Sequence, residues 1–475
     1  MEKRSRSFTY NATQALADPN LQRAMDKMRT GFVDRRLAAT IALPEFDQLR
    51  DQARDIKNHT LDNLDLYLES YEEKVQQNGG QVHWCATAED AREAVLKICQ
   101  SVGAKTVTKG KSMITEEIAL NDFLEQKGIT PVETDLGEYI IQLRKEPPSH
   151  IIAPAVHVSQ DQVEADFRKH HTALPKDRNL SAPESLVAEA RKMLRQRYFE
   201  ADVGITGANF LIAETGSSVI VTNELTQILP KVHIVVASLE KVVPTLEDAS
   251  TILRVLARSA TGQEMSSYTT FSTGPRRPED PDGPEQYHVI LLDNGRSAML
   301  GTEFQEMLRC IRCGACMNHC PVYQAVGGHS YGWVYPGPMG SVLTPSLIGV
   351  DEAGHLPNAS TFCGRCEEVC PMRIPLPKMM RHWREREFER HLSPPTQRWG
   401  IRAWAYLAQR PRLYRWVMRL PIALLGKLGR RKGRFASLPL AGGWTKHRDL
   451  PAPQGKTFQQ LWREKQKADA AGART

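Results

Sequence analysis

A chain of 475 residues, 41% hydrophobic and 25% charged, has the composition of a soluble protein and room for two or three domains with their own cores. No apolar run approaches the roughly 18 residues of a membrane span. The net charge of +7 is misleading, because 14 Lys or Arg and no Asp or Glu fall between Arg390 and Arg448, leaving 48 basic against 55 acidic residues elsewhere. The basicity is local, which argues against nucleic-acid binding and for one basic surface.

The first residues, MEKRSRSFTYNATQ, are basic with no apolar stretch behind them, so no secretory signal is expected and the cytoplasm is the expected compartment. Residues 1–80 read as a polar, helical N-terminal arm, interrupted at 41–44, with apolar residues at helical spacing over 58–71. From 81 to 295, short β-branched runs (151–152, 210–213, 218–222, 233–237, 288–292) alternate with amphipathic stretches (88–102, 116–127, 185–201, 246–260). That alternation predicts an α/β domain. Residues 273–286, rich in Pro and Gly, read as a surface loop. A cysteine module follows over 296–395, entered by a helix at 302–309 and left by a charged helix at 375–391. Between its cysteine groups, 327–340 reads as loop on its Gly and Pro content. A basic region, 396–475, completes the chain.

Seven of the nine cysteines form two groups. Cys310, Cys313, Cys316 and Cys320 read C-x2-C-x2-C-x3-C-P, and Cys363, Cys366 and Cys370 read C-x2-C-x3-C-P. This is the ligand spacing of a two-cluster iron–sulfur module, in which the last cysteine of each run crosses to the other cluster. Cys310, Cys313, Cys316 and Cys370 are therefore assigned to the first cluster, and Cys320, Cys363 and Cys366 to the second. The second set is one ligand short, and Ser360 stands where the missing cysteine would be. Three solutions fit: a three-iron (3Fe-4S) cluster, a four-iron (4Fe-4S) cluster closed by Ser360, water or another side chain, or a ligand from His329 or His355. The four-iron cluster with a non-cysteine ligand is favoured. Zinc sites close at four ligands and fit seven interleaved cysteines poorly. A disulfide framework belongs to small secreted scaffolds, and a radical enzyme would want C-x3-C-x2-C. Cys85 and Cys99 read as buried free thiols.

The two cysteine groups, the intervening GGHSYGWVYPGPMG and the upstream GITGANFLIAETGSSVIVTNE together resemble the lactate-utilisation protein B family, over nearly the whole chain. The cysteine motif alone is shared with heterodisulfide reductase and glycolate oxidase relatives. The resemblance implies an iron–sulfur subunit of a bacterial L-lactate-oxidising complex, with an upstream domain similar in fold to sugar-phosphate isomerases and CoA transferases. It also implies companion subunits, one a cysteine-rich redox protein and one a smaller protein with the same α/β domain. Electrons would pass through the clusters to a membrane-surface or quinone-linked acceptor, the protein lying peripherally at the inner face of the membrane. The alternative is an enzyme whose α/β domain itself binds an organic-acid or CoA-type ligand.

Other segments carry weaker signals. Gly204, Gly207 and Gly216, with Thr206, Asn209, Glu214 and Thr215, suit either an anion loop or tight turns between buried strands, and the turns are favoured. The run Thr108-Lys109-Gly110-Lys111-Ser112 lacks the first glycine of a phosphate loop and reads as a polar turn. His150, His157, His170 and His171 match no metal spacing and read as packing or solvated side chains. Trp404, Leu407, Leu413, Trp416, Val417 and Leu420 lie among arginines in a segment expected to break at Pro411 and Pro421. Packing or partner docking is favoured there over a membrane surface.

Overall fold

The computed structural model describes residues 4–472 apart from Lys111, 223–225, Met265, Ser267, Leu440, Lys446 and His447. It divides into two compact units, residues 1–390 and 391–475.

Among the described residues the first unit has ten strands: β1 (Gln81–Cys85), β2 (Thr106–Gly110), β3 (Thr130–Glu133), β4 (Val203–Gly207), β5 (Phe210–Ile212), β6 (Ser217–Ile220), β7 (Val232–Ser238), β8 (Val242–Val243), β9 (Thr270–Ser272) and β10 (Gln286–Leu292). Six form one sheet in the order β1-β10-β7-β4-β2-β3, parallel throughout. β4 and β7 are wholly buried, as a parallel sheet covered on both faces requires. The other four make a small sheet ordered β8-β5-β6-β9. The helices Ala88–Ser101 and Leu246–Ala260 both open with capping boxes, Thr87 with Asp90 and Thr245 with Asp248.

Several local expectations are corrected. Ile151 and Ile152 form bends rather than a strand, Ile151 being drawn into the core. The helix expected over 116–127 is two, Met113–Glu117 and Leu120–Gln126, parted at Ala119 by a left-handed backbone (φ 52°). The entry to the cysteine module is only a 3-10 turn, Gln305–Arg309. Residues 337–340 begin the helix Gly337–Ile348, because Pro338 in its first turn gives up no needed hydrogen bond. Thr108, Lys109 and Gly110 lie in β2 instead of a turn, and Gly204 and Gly207 lie in β4. Gly204 is required there, since a Cβ would stand 1.9 Å from the Thr226 carbonyl oxygen.

The N-terminal helices pack onto the cysteine module. Gln22 Nε2 donates to the Ala325 carbonyl at 2.9 Å, and Arg36 donates to the Val369 carbonyl at 2.9 Å. One apolar core joins Met28, Phe46 and Leu49 of these helices, Ile252 and Val255 of the sheet domain, and Met317, Tyr323 and Met379 of the module.

A buried ionic network sits where the three regions meet. Arg296 donates to both Glu117 carboxylate oxygens, at 2.9 and 2.7 Å, and lies 3.1 Å from Glu240. Tyr335 donates to Glu117 at 2.6 Å, and Arg312 reaches Glu240 at 3.3 Å. Burial works against the Glu117 charge, but Arg296 outweighs it and holds that carboxyl below the usual range. Lys57, from the helix Phe46–Asp62, donates to the backbone carbonyls of Glu240 and Val242.

The second unit is mainly helical, with helices Pro395–Ala408, Pro411–Gly429 and Phe458–Gly472. Pro421 does not break it as expected: it lies inside the 19-residue helix Pro411–Gly429, which absorbs one lost hydrogen bond. Pro411 begins that helix, and Trp404, Trp416 and Leu420 are exposed. No helix among the described residues is long and apolar enough to cross a membrane.

Replacing Glu117 by Ala strands the Arg296 charge without water. The expected cost is about 3–5 kcal/mol, read by denaturant unfolding, whereas Glu69→Ala, exposed on the helix Leu64–Gln77, should stay within about 0.5 kcal/mol.

Candidate metal centre

The two cysteine runs fold into loops of the same shape. Each follows a 3-10 turn, Gln305–Arg309 or Leu356–Ala359, and each runs into a one-turn helix, Ala315–Asn318 or Arg365–Glu368. Left-handed backbone recurs at matching positions: Arg312 and Gly314 (φ 58° and 75°), then Phe362 and Gly364 (φ 53° and 80°). Such a conformation costs a non-glycine residue roughly 1–2 kcal/mol, and both loops carry it. Cys310 (φ −66°, ψ 119°) has its counterpart in Ser360 (φ −68°, ψ 134°). The Ser360 hydroxyl accepts from the Phe362 N–H at 3.2 Å.

Cys310, Cys313, Cys316 and Cys370 line one small, largely apolar cavity together with Met307, Ile311, Met339, Ile374 and Leu376. Cys320, Cys363 and Cys366 are electrostatic neighbours: Cys366 feels both Cys320 and Cys363. Cys316 feels Cys310, Cys313, Cys370 and also Cys366, so the two sets adjoin. Burial differs along the row, with Cys313, Cys366 and Cys370 buried and Cys363 exposed. Among the described residues, no three or more His, Cys, Asp or Glu form a single-ion site.

The surroundings suit a polynuclear cluster. Burial, then the neighbouring Cys370, pushes the Cys313 thiol up to about 12, and burial does the same for Cys366. Thiolates so placed need a strong positive centre among them. Backbone N–H groups already face the sulfurs: Ala315 toward Cys313, Val322 and Tyr323 toward Cys320, and Ile374 toward Cys370 at 3.5 Å. Arginines ring the first set. Arg50 donates to the Cys370 carbonyl at 2.7 Å. Burial lowers Arg36 to about 10, with Cys313 pulling the other way. Sequence reasoning missed these arginines, since nothing local marks Arg36 and Arg50 as neighbours of a cysteine 320 positions beyond Arg50.

The remaining candidates fall elsewhere. His329 Nε2 donates to the Pro147 carbonyl at 2.7 Å, and His355 Nε2 to the Ser5 carbonyl at 2.7 Å. His150 is buried, its Nε2 2.8 Å from Asn318 Oδ1. His171 stands between Tyr139 and Glu189, His157 pairs with Glu146 at 2.9 Å, and His170 is exposed. Lys109 is buried against Glu116 and Glu133 at 2.6 and 2.7 Å. Burial opposes its charge, but the two carboxylates hold it above the usual lysine range. Lys111 lies outside the described residues. Gly216 (φ 68°) turns the β5–β6 hairpin, and Thr206 bonds His233 at 2.8 Å. Thr215 bonds Ser217 at 2.8 Å, and Glu214 accepts from the Leu246 N–H at 3.1 Å. Cys85 and Cys99 are buried, and burial raises both thiols, to about 11 and about 12.

Three family models match: LUD domain over residues 68–292, 4Fe-4S dicluster domain over 306–374, and Lactate utilisation protein B, C-terminal, over 375–467. "Lactate utilization protein B" of Macrococcus caseolyticus is 42% identical over 98% of both chains. That of Geobacillus thermodenitrificans is 44% identical over 92% of both. The "Uncharacterized electron transport protein YkgF" of Escherichia coli is 39% identical over 97% of both. Among solved structures, a DUF162 family protein from Deinococcus radiodurans matches at 14% identity and a TM-score of 0.27, over 48% of this chain and 98% of that one. With its sheet domain, its dicluster cysteines and its C-terminal region all matched, the chain belongs to the lactate utilisation protein B family and is an iron–sulfur protein.

Proposed function

We propose that this chain is the electron-transfer subunit of an L-lactate-oxidising complex and holds two four-iron clusters. Cys310, Cys313, Cys316 and Cys370 hold the first. Cys320, Cys363 and Cys366 hold the second, with the Ser360 hydroxyl at its fourth corner. The observation that carries this reading is the duplicated loop, with Cys370 of the second run lining the cavity of the first. Ser360 is favoured because its backbone matches that of Cys310, while His329 and His355 spend Nε2 on backbone carbonyls.

When bound, such clusters supply one-electron iron redox chemistry. The chain's own residues do the rest. Their amides donate to sulfur, the apolar lining excludes water, and Arg36, Arg50 and Arg312 offset the negative charge of the thiolates. The adjoining sets suit relay between a buried end at Cys313 and an exposed end at Cys363. The names of the relatives point the same way, one of them being called an electron transport protein. The reading takes the sheet domain as isomerase- or CoA-transferase-like. It takes as companions a cysteine-rich redox subunit and a smaller protein with the same α/β domain. It also takes the four-part division at 80, 295 and 395, and a membrane-linked acceptor met at the inner face.

Anaerobic iron and sulfide analysis should give about eight irons per chain, and Mössbauer spectra should contain one iron site of mixed sulfur and oxygen ligation. Ser360→Cys should abolish that distinct site at unchanged iron content. About seven irons, with the spectrum of a three-iron cluster, would overturn the Ser360 assignment.

Cys370→Ala, which leaves no side-chain donor at that corner, should remove the first cluster and leave the signals of the second, lowering iron by about half. Unchanged iron and an unchanged EPR spectrum in that variant would defeat the crossed assignment.

A further inference from the structure

The second unit carries a surface that its own folding leaves uncovered. Five of the chain's eight tryptophans lie in it, Trp399, Trp404, Trp416, Trp444 and Trp462, and all five are exposed. Its charge is one-sided, with 14 Lys or Arg and no Asp or Glu between Arg390 and Arg448.

On the helix Pro411–Gly429, Trp416, Leu420, Leu424 and Leu428 recur at every fourth residue, which sets them along one face. They are between 55% and 77% exposed and extend over about 18 Å of helix. The far face of the same helix is already occupied. A Cβ on Gly426 would stand 2.6 Å from Gly455, and one on Gly429 would stand 2.3 Å from the Ala452 Cβ. The apolar row is therefore not the face that seats this helix in its unit. Exposed basic side chains border the row, Arg412 and Arg419 toward Trp416, and Lys427, Arg430 and Arg431 toward Leu428. None of these five is ion-paired among the described residues, whereas Arg434 meets Asp449 at 2.7 Å. The preceding helix, Pro395–Ala408, has no buried residue and adds Trp399, Ile401 and Trp404 to the exposed apolar set.

Two occupants suit an apolar row edged with cations: an acidic protein and an anionic bilayer. Protein partners are registered by potentials that alternate in sign across the interface. A stretch without one acidic side chain suits a diffuse negative surface instead. Indole rings settle at the boundary between headgroups and acyl chains, and long arginines keep their charge in water while their stems lie on apolar surface. A break at Pro421 would count against such a surface, and the helix is unbroken there. It is too polar to span a bilayer, so it would lie on one.

We propose that the second unit binds the surface of an anionic phospholipid bilayer, with Trp416, Leu420, Leu424 and Leu428 sunk among the headgroups and Arg412, Arg419, Arg430 and Arg431 on the lipid phosphates. The proposal deepens the electron-transfer reading, which takes a membrane-linked acceptor, by naming the surface that meets the membrane.

The test is co-sedimentation of full-length, iron-replete protein, kept free of oxygen, with vesicles. One set holds phosphatidylcholine and phosphatidylglycerol in equal parts, the other phosphatidylcholine alone. The protein should bind the anionic set, and bind the neutral set weaker by about tenfold or more. Tryptophan emission should shift to shorter wavelength on the anionic set only. Salt at about 1 M, where the screening length is about 3 Å, should release most of the protein. Leu420→Glu and, separately, Trp416→Ser should each weaken anionic binding about tenfold or more at unchanged iron content. Both side chains are exposed, so iron content also reports that the variants fold. Absence of binding to anionic vesicles overturns the proposal and leaves the row to a protein partner. Wild-type binding in both variants also overturns it, because attraction of charge alone would then suffice. Neither result touches the electron-transfer reading, which stands or falls on iron content and EPR.

Discussion

A guanidinium sealed from water dictates how the parts of the first unit meet. Arg296 is 1% exposed, and a charge in that position is tolerable only with its partners in correct geometry. Its partners come from different places: Glu117 from the short helix after β2, and Glu240 from the turn after β7. Glu240 then reaches Arg312 in the first cysteine loop, and Glu117 accepts from Tyr335 between the cysteine groups. The Glu240 and Val242 carbonyls receive Lys57 from the N-terminal helices. Apolar packing alone tolerates sliding, whereas a buried charge cluster of this kind accepts one arrangement. The carboxyl ends of β2 and β7 and the first cysteine loop are thereby held in one arrangement.

What the sequence made legible was whatever is decided locally. Cysteine ligand spacing is a local property, and so are the amphipathic spacing of 88–102 and 246–260 and the β-branched run of β7. The strands that went unread were those whose identity depends on distant neighbours. β4 carries two glycines, one of them lying under the Thr226 carbonyl, and β3 carries Pro131, which an edge strand can accept. In β2, Lys109 looks like a loop residue until Glu133 of the adjacent strand is beside it. The same holds for the ionic network, where Arg296 and Glu117 stand 179 positions apart. Pro421 and Pro338 were overweighted as breakers, since a helix tolerates proline in its first turn and can survive one in a long exposed span.

The duplicated loops place seven cysteines and one serine at the positions of a pattern that normally uses eight cysteines. The two halves keep the same backbone, down to the pair of left-handed residues in each, so the scaffold was specified twice even though the side chains differ at one corner. Ser360 inherits the place without the sulfur. Serine oxygen is a harder donor than thiolate, so under the proposed assignment that corner would differ in chemistry while the backbone geometry matches.

The gradient of burial along the cysteine row has a consequence for the protein's lifetime. Cys313 and Cys370 are enclosed, whereas Cys363 is open to solvent. Oxidants attack thiolates according to their access, so dioxygen and peroxide meet the outer corner well before the inner one. Oxidative damage would begin at this periphery while the interior remained intact, making Cys363 the first point of failure.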